Sequence, residues 1–262
     1  MMHSISQALE NWYGIKADPA DIRKLQIHLL NNYGKIDQGI LKEIFLSGEA
    51  ASFLTVNETY FFREPVHFNL LREYLSVFER SFIQIFSAAC SSGCEAYSIA
   101  MLIEAYNKSS KNPIQYHIDA CDINPKAIDT AKCGIYSQRV LREDGSCFHY
   151  LVEPFFLKNE DSYEIDSCLK KHVSFFVHNL MNKLPLKEYD IVFFRNALIY
   201  FFPEKREIIL SNLTSSLREG GILIAGVSET AGIYHVDLEQ IFSNDAFYYR
   251  KKRSAVNFSL QG

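Results

Sequence analysis

Asp122 closes the apolar run Tyr116-His117-Ile118-Asp119-Ala120-Cys121. A carboxylate directly after such a strand can accept hydrogen bonds from both hydroxyls of a ribose. Its other use would be to cap a helix starting at Pro125. Asn124 is the better cap, because it immediately precedes a proline suited to the first helical position, and that leaves Asp122 to a ligand. Glu95 ends the loop Ala88-Ala89-Cys90-Ser91-Ser92-Gly93-Cys94 after a second apolar run. It could anchor a ligand's amino group, or simply sit at a helix start where the dipole favours a negative charge. That loop holds one glycine where a dinucleotide fingerprint needs three, which suits a nucleoside without phosphates better than NAD or FAD. Arg195 and Asn196 follow a third apolar run, and an arginine buried there would need a partner. Tyr200 could turn its hydroxyl toward the same place, or be one more core aromatic among 15 tyrosines. A further polar motif, Asn57-Glu58-Thr59-Tyr60-Phe61-Phe62-Arg63-Glu64-Pro65, stands apart from these loops. Read plainly, it is a linker whose phenylalanines staple two domains and whose Arg63 pairs with Glu58 or Glu64.

The elements that would position these residues follow from periodicity. Residues 1–56 read as a small helical domain, with Ile22, Leu25, Ile27, Leu29 and Leu30, then Ile36, Ile40, Leu41, Ile44 and Phe45, at near-helical spacing. Asp18-Pro19 is a helix start and Asn32-Tyr33-Gly34 a stop. Residues 57–80 form a linker and entry segment. From residue 81 onward short apolar strands (82–86, 116–121, 189–194, 221–226) alternate with helices (94–106, 125–133, 203–217). That alternation predicts an α/β fold, a doubly wound Rossmann-like parallel sheet covered on both faces. Phe247-Tyr248-Tyr249-Arg250 would close the sheet as an antiparallel edge. Residues 142–172 break the pattern, and two short strands around Lys158-Asn159-Glu160-Asp161-Ser162 predict a small β insertion.

Composition narrows the function. The 262 residues carry a net charge of −4, without the basic excess expected of a nucleic-acid binder. No apolar run approaches the roughly 20 residues a membrane span requires, and the N-terminus has no secretory pattern. Six cysteines without Cys-x-x-Cys or zinc-finger spacing suggest reduced thiols in a cytoplasmic protein and imply no metal.

Taken in order, these motifs resemble the CheR family of S-adenosylmethionine-dependent methyltransferases, which esterify glutamate side chains of chemotaxis receptors. The resemblance covers residues 53–230. Asn57-x-Thr59-x-Phe61-Phe62-Arg63-Glu64 is similar to the family's entry segment, and Ser87 to Ala100 to its cofactor loop and following helix. Cys121-Asp122-Ile123-Asn124 resembles the ribose loop. His178-Asn179-Leu180, Phe194 to Phe201 and Gly226-Val227-Ser228-Glu229 resemble later stretches. The resemblance implies cofactor contacts at Asn57, Thr59, Arg63, Glu95, Asp122, Asn179, Leu180, Arg195 and Asn196. It implies catalytic roles near the reacting centre for Arg63 and Tyr200. The family's loop reads Gly-Glu-Glu-Pro-Tyr where this chain has Gly93-Cys94-Glu95-Ala96-Tyr97, so only the second glutamate is kept. Cys94 at a helix start could have a lowered pKa, but it reads better as a small apolar filler.

The implied reaction moves a methyl group from S-adenosylmethionine to a carboxylate, leaving S-adenosylhomocysteine, with no metal. The implied partner is the cytoplasmic helical region of a chemoreceptor, with neither nucleic acid nor membrane insertion involved. Family members that dock a receptor's C-terminal pentapeptide do so on a glycine-containing hairpin of the β subdomain. The turn at 158–162 lacks glycine, so direct binding without that tether is expected here. The helical domain carries five basic and six acidic residues, so its net charge gives no basic face for an acidic receptor. A rival reading is a non-catalytic module that binds S-adenosylmethionine or its product and signals to a partner. A third, a nitrogen or small-molecule methyltransferase, is disfavoured by Arg195-Asn196-Ala197-Leu198 where such enzymes often carry an Asn/Asp-Pro-Pro-Tyr-type motif.

Overall fold

The computed structural model describes residues 2–54, 58–158, 161–184 and 188–253. Four helices open the chain: α1 (Met2–Tyr13), α2 (Pro19–Tyr33), α3 (Gln38–Leu46) and α4 (Ala51–Leu54). Asp18 caps α2 by accepting from the Ala20 amide, and Gly34 ends it in the left-handed conformation. After the entry segment comes α5 (Pro65–Ser76), then β1 (Phe82–Ala88), α6 (Cys94–Ser109), β2 (Gln115–Asp122) and α7 (Pro125–Cys133). Asn124 caps α7 through its side-chain oxygen, as its position before Pro125 predicts. The strands β3 (Ile135–Tyr136), β4 (Phe156–Lys158) and β5 (Tyr163–Ile165) form a separate three-stranded sheet, followed by α8 (Ser167–Lys170). The chain then completes the main sheet with β6 (Val173–Val177), β7 (Tyr189–Phe194), α9 (Pro203–Ser216), β8 (Leu217–Ala225), β9 (Leu238–Ser243) and β10 (Ala246–Lys251).

The main sheet runs β6-β2-β1-β7-β8-β10-β9. The pairs along β6, β2, β1, β7 and β8 are parallel, and β10 runs antiparallel between β8 and β9. The connections leave β1 toward β2 and β6, then return to place β7 on its other side. The boundary between β1 and β7 is therefore the switch point where doubly wound sheets bind ligands.

Several expectations change in detail. The strand containing Phe247–Arg250 is not the edge, because β9 pairs outside it through a two-residue turn with Asn244 and Asp245 both at positive φ. The two strands expected around the 158–162 turn are β4 and β5, but the insertion opens on a 3-10 helix at residues 143–151, and its sheet draws a third strand from Ile135–Tyr136, outside the expected bounds. The segment 57–80 contains α5, which buries His67, Phe68, Leu70, Leu71 and Leu75.

One face of the sheet packs with α5, α6 and the small sheet, around Phe61, Phe62, Phe68, Tyr97 and Phe193. The opposite face is covered by the N-terminal helices and α9 in one continuous apolar core, joining Ile5, Leu25, Ile44 and Leu54 to Phe86, Val192, Phe194 and Leu223. Residues 14–16 also clamp the loop after β7: Ile15 bridges Phe201, the Lys16 amide donates to the Tyr200 carbonyl, and the Phe202 amide donates to the Gly14 carbonyl.

Candidate active site

A cleft of about 990 Å³, counting its solvent-filled mouth, opens at the carboxyl ends of β1, β2, β6 and β7. Thr59, Arg63, Glu95, Asp122, Asn179, Leu180, Arg195, Asn196 and Tyr200 all line it. Every sequence-predicted site residue except Asn57 is thus brought to one place, and Asn57 lies outside the described residues.

The entry segment is anchored by its two phenylalanines, both fully buried. Phe62 stacks on Phe148 with ring centroids 5.0 Å apart, and its amide donates to the Ser98 hydroxyl at 2.9 Å. Phe61 packs edge-on against Tyr136 and Phe156. They fasten the segment to α6 and the small sheet rather than to the helical domain. Neither predicted carboxylate partner of Arg63 is used. Its Nη1 donates instead to the Glu58 backbone carbonyl at 2.8 Å, while the Glu58 carboxylate takes Arg142.

Asp122 is nearly buried and serves two amides, accepting from Ser91 N at 2.8 Å and from Asn124 N at 2.9 Å. Burial raises its carboxyl above the ordinary value, and the backbone amides oppose that shift. It therefore ties the loop after β1 to the loop after β2 as well as lining the cleft. Glu95 is likewise held from within: its Oε1 accepts from the Ser87 hydroxyl at 2.6 Å and its Oε2 from Arg195 Nη1 at 3.0 Å. Asn179 donates to the Trp12 carbonyl at 2.6 Å and accepts from the Met181 amide at 3.0 Å, so α1 orients it.

Arg195 is buried, and it has the partners burial requires. Nη1 reaches Glu95, Nη2 reaches Glu64 at 3.1 Å and the Arg63 carbonyl, and Nε donates to His67 Nδ1 at 2.9 Å. Glu64 also accepts from Asn196 Nδ2 at 2.9 Å and from the Val227 amide at 3.2 Å. Burial alone would raise the Glu64 carboxyl, but the Arg195 guanidinium and the Asn196 amide outweigh that and hold it well below the usual carboxylate range. Glu229, buried beneath the same loop, accepts from the amides of Asn196 at 2.6 Å and Leu198 at 2.7 Å. Burial raises its carboxyl against those hydrogen bonds. Glu64, His67 and Glu229 are parts of the site that motif reading did not single out. Tyr200, by contrast, is half-buried and packs its ring against the core beneath the N-terminal helices. It lines the cleft, and among the described residues its hydroxyl has no hydrogen-bond partner.

Backbone strain gathers at the cleft. Phe62, Glu64, Ala89, Ser91 and Asn196 all have φ between 50° and 57°. Such residues each cost on the order of 1–3 kcal/mol and persist where surrounding contacts dictate the conformation. Gly93 starts α6 at φ 87°, and a Cβ there would come within 2.8 Å of the Ala131 side chain and 3.0 Å of Phe175. Only glycine lets α6 begin so close to α7 and β6. Burial pushes the neighbouring Cys94 thiol up to about 12, so it remains protonated as a core filler.

The donor set fits an S-adenosyl nucleoside. A carboxylate stands at the end of β2, a carboxylate–guanidinium pair at the cleft floor, and Leu54, Ile123, Leu180 and Phe201 add apolar wall. Among the described residues, no group of three or more His, Cys, Asp or Glu could hold a metal ion.

Residues 57–247 match the family model described as CheR methyltransferase, SAM binding domain. A chemotaxis protein methyltransferase of Borreliella burgdorferi is 34% identical over 189 residues, a match spanning 68% of this chain and 65% of that protein. One from Vibrio anguillarum is 34% identical over 209 residues, covering 78% of this chain and 75% of the relative. Among solved structures, the N-methyltransferase NodS from Bradyrhizobium japonicum, in complex with S-adenosyl-L-homocysteine, aligns over 73% of this chain and 88% of its own, at 15% identity and a TM-score of 0.42. With a family match across most of its length and relatives at a third identity, this chain belongs to the CheR methyltransferase family.

Proposed function

We propose that the protein methylates glutamate side chains in the cytoplasmic helical region of a chemoreceptor, using S-adenosylmethionine and releasing S-adenosylhomocysteine. The observation that carries this reading is that Arg63 and Tyr200, whose hydroxyl has no partner among the described residues, line the same cleft as Asp122, Glu95 and Asn179. The relatives' name, chemotaxis protein methyltransferase, supports a protein of chemotaxis as the substrate.

S-adenosylmethionine, when bound, supplies an electrophilic methyl group on a sulfonium. The chain's part is to position and to exclude water. A substrate glutamate is already ionised at neutral pH, since it ordinarily titrates near 4.3, so no side chain has to remove a proton. The Arg63 guanidinium holds the incoming carboxylate at the cleft. A tight bidentate grip would stabilise the ground state as much as the transition state and slow attack, so a positioning role suits it better. The Tyr200 hydroxyl donates to one carboxylate oxygen and leaves the other free to attack. Opposite charges partly cancel as the methyl group moves, so apolar walls such as Phe68 and Phe201 do not penalise the reaction.

Recognition is direct, without a pentapeptide tether. The test is incubation with labelled S-adenosylmethionine and receptor-containing membranes, followed by base treatment. Base-labile release of labelled methanol is expected. Nucleoside binding without methanol release would point instead to a non-catalytic binding module. A receptor tail ending in a pentapeptide that bound with micromolar affinity would overturn the untethered mode.

A further inference from the structure

His67 is buried in α5, with its side chain 1% exposed, and lies at the back of the cleft rather than in it. Its Nδ1 is 2.9 Å from Arg195 Nε and 3.3 Å from Glu64 Oε2. A guanidinium is permanently charged and can only donate. Nδ1 must therefore be the acceptor, so the ring is neutral with its hydrogen on Nε2. A protonated Nδ1 would turn an N–H against the N–H of Arg195. Burial favours the same neutral form and lowers the imidazole's pKa.

The consequence falls on Arg195. Its Nη1 meets Glu95 at 3.0 Å, while its Nη2 meets Glu64 at 3.1 Å and the Arg63 carbonyl. Phe68 lies against the guanidinium, with its ring centroid 5.6 Å from Arg195 Cζ, and contacts its face rather than its edge. His67 Nδ1 is the acceptor at that edge, on Nε.

We propose that His67 is a positioning residue of the donor site: its Nδ1 fixes the plane of Arg195, and through Arg195 the cleft-facing carboxylate of Glu95. This rests on the reading that the cleft binds the S-adenosyl nucleoside. His67 touches neither ligand nor reacting atoms, so its effect should appear in nucleoside affinity and should require Arg195.

The experiment compares His67→Leu, which keeps bulk without an acceptor, with His67→Asn, whose Oδ1 can stand near the position of Nδ1. Calorimetry with S-adenosylhomocysteine is run on the full chain alongside thermal melting, and His67→Leu is repeated in an Arg195→Lys background. Affinity should fall by about 10- to 100-fold in His67→Leu, the range for losing a hydrogen bond to a charged group, and recover largely in His67→Asn. In the Arg195→Lys background His67→Leu should cost little more. Unchanged affinity in His67→Leu, equal losses in Leu and Asn, or full additivity with Arg195→Lys would overturn the proposal. Failure of the unaltered protein to bind the nucleoside would overturn the functional reading itself, and this one with it.

Discussion

Replacing Glu64 tests both the charge network and the strain at the cleft. Its carboxylate joins the entry segment to two other loops, through Arg195 and Asn196 after β7 and Val227 after β8. Glu64→Ala removes all three contacts. Arg195 keeps Glu95, so the full cost of about 3–5 kcal/mol for orphaning a buried charge does not apply. All three are hydrogen bonds to an ionised carboxylate, about 1.5–3 kcal/mol each at most, and because the Val227 contact is exposed and its amide rehydrates, a loss of about 2–4 kcal/mol is expected. Glu64 also has φ 55° and ψ 73°. A side-chain-bearing residue there costs roughly 1–2 kcal/mol that glycine avoids, while glycine's freer unfolded chain takes back about 0.4–1 kcal/mol. Glu64→Gly should therefore be about 0.5–1 kcal/mol more stable than Glu64→Ala, although both lose the same contacts. Urea denaturation of the three proteins measures this directly. A loss below about 1 kcal/mol in Glu64→Ala would refute the network argument. Equal stability of the two variants would refute the strain argument.

Other outcomes follow from the same site. Asp122→Ala should weaken S-adenosylhomocysteine binding by roughly 10- to 150-fold, and unchanged calorimetric affinity would remove Asp122 from the ligand site. Arg63→Ala and Tyr200→Phe should lower methyl transfer more than nucleoside affinity, Tyr200→Phe most clearly, because its hydroxyl has no described partner to lose; undiminished turnover in both would disprove their roles. His67 titrates lower folded than unfolded, so the unfolded chain takes up its proton first as pH falls through about 6.5. Its contribution to stability is therefore present above that pH and is lost below it. His67→Asn should flatten the decline in denaturation free energy between about pH 7 and 5.5, and parallel declines would contradict the assignment of a neutral ring.

The parts legible in the sequence were those governed by local rules. Continuous apolar runs marked β1, β2 and β7, and Asn124-Pro125 marked the start of α7. Asp122, Arg195 and Asn196 were found as polar groups directly following those runs, whereas Thr59, Arg63 and Asn179 came only from the resemblance to a family. What stayed hidden has physical causes. The strand β6 is short and lies at a sheet edge, with Ser174 and Val177 exposed, so it lacks the apolar continuity of a central strand. The edge strand β9 places exposed Glu239 and Gln240 early in its length, a pattern that reads equally as loop. Residues 143–151 wind as a 3-10 helix, whose three-residue period the apolar spacing does not announce. Glu64 and Glu229 act on Arg195, Asn196 and Leu198 across 131 and 31 residues of chain, and the effect of His67 depends on a hydrogen bond spanning 128 residues. Such pairings are set by how the layers stack.

The core shared between the N-terminal helices and the sheet limits how this protein can be taken apart. The matched family region begins at residue 57, but Phe86, Val192, Phe194 and Leu223 lie under helices that precede it. A fragment cut at that boundary would present a bare apolar β surface to water and lose the strap that backs the Tyr200 loop. The recognisable sequence unit and the unit that can fold are therefore different lengths of chain. Recombination that moves this catalytic sheet into another polypeptide must bring the preceding helices with it, or supply another apolar cover of matching shape.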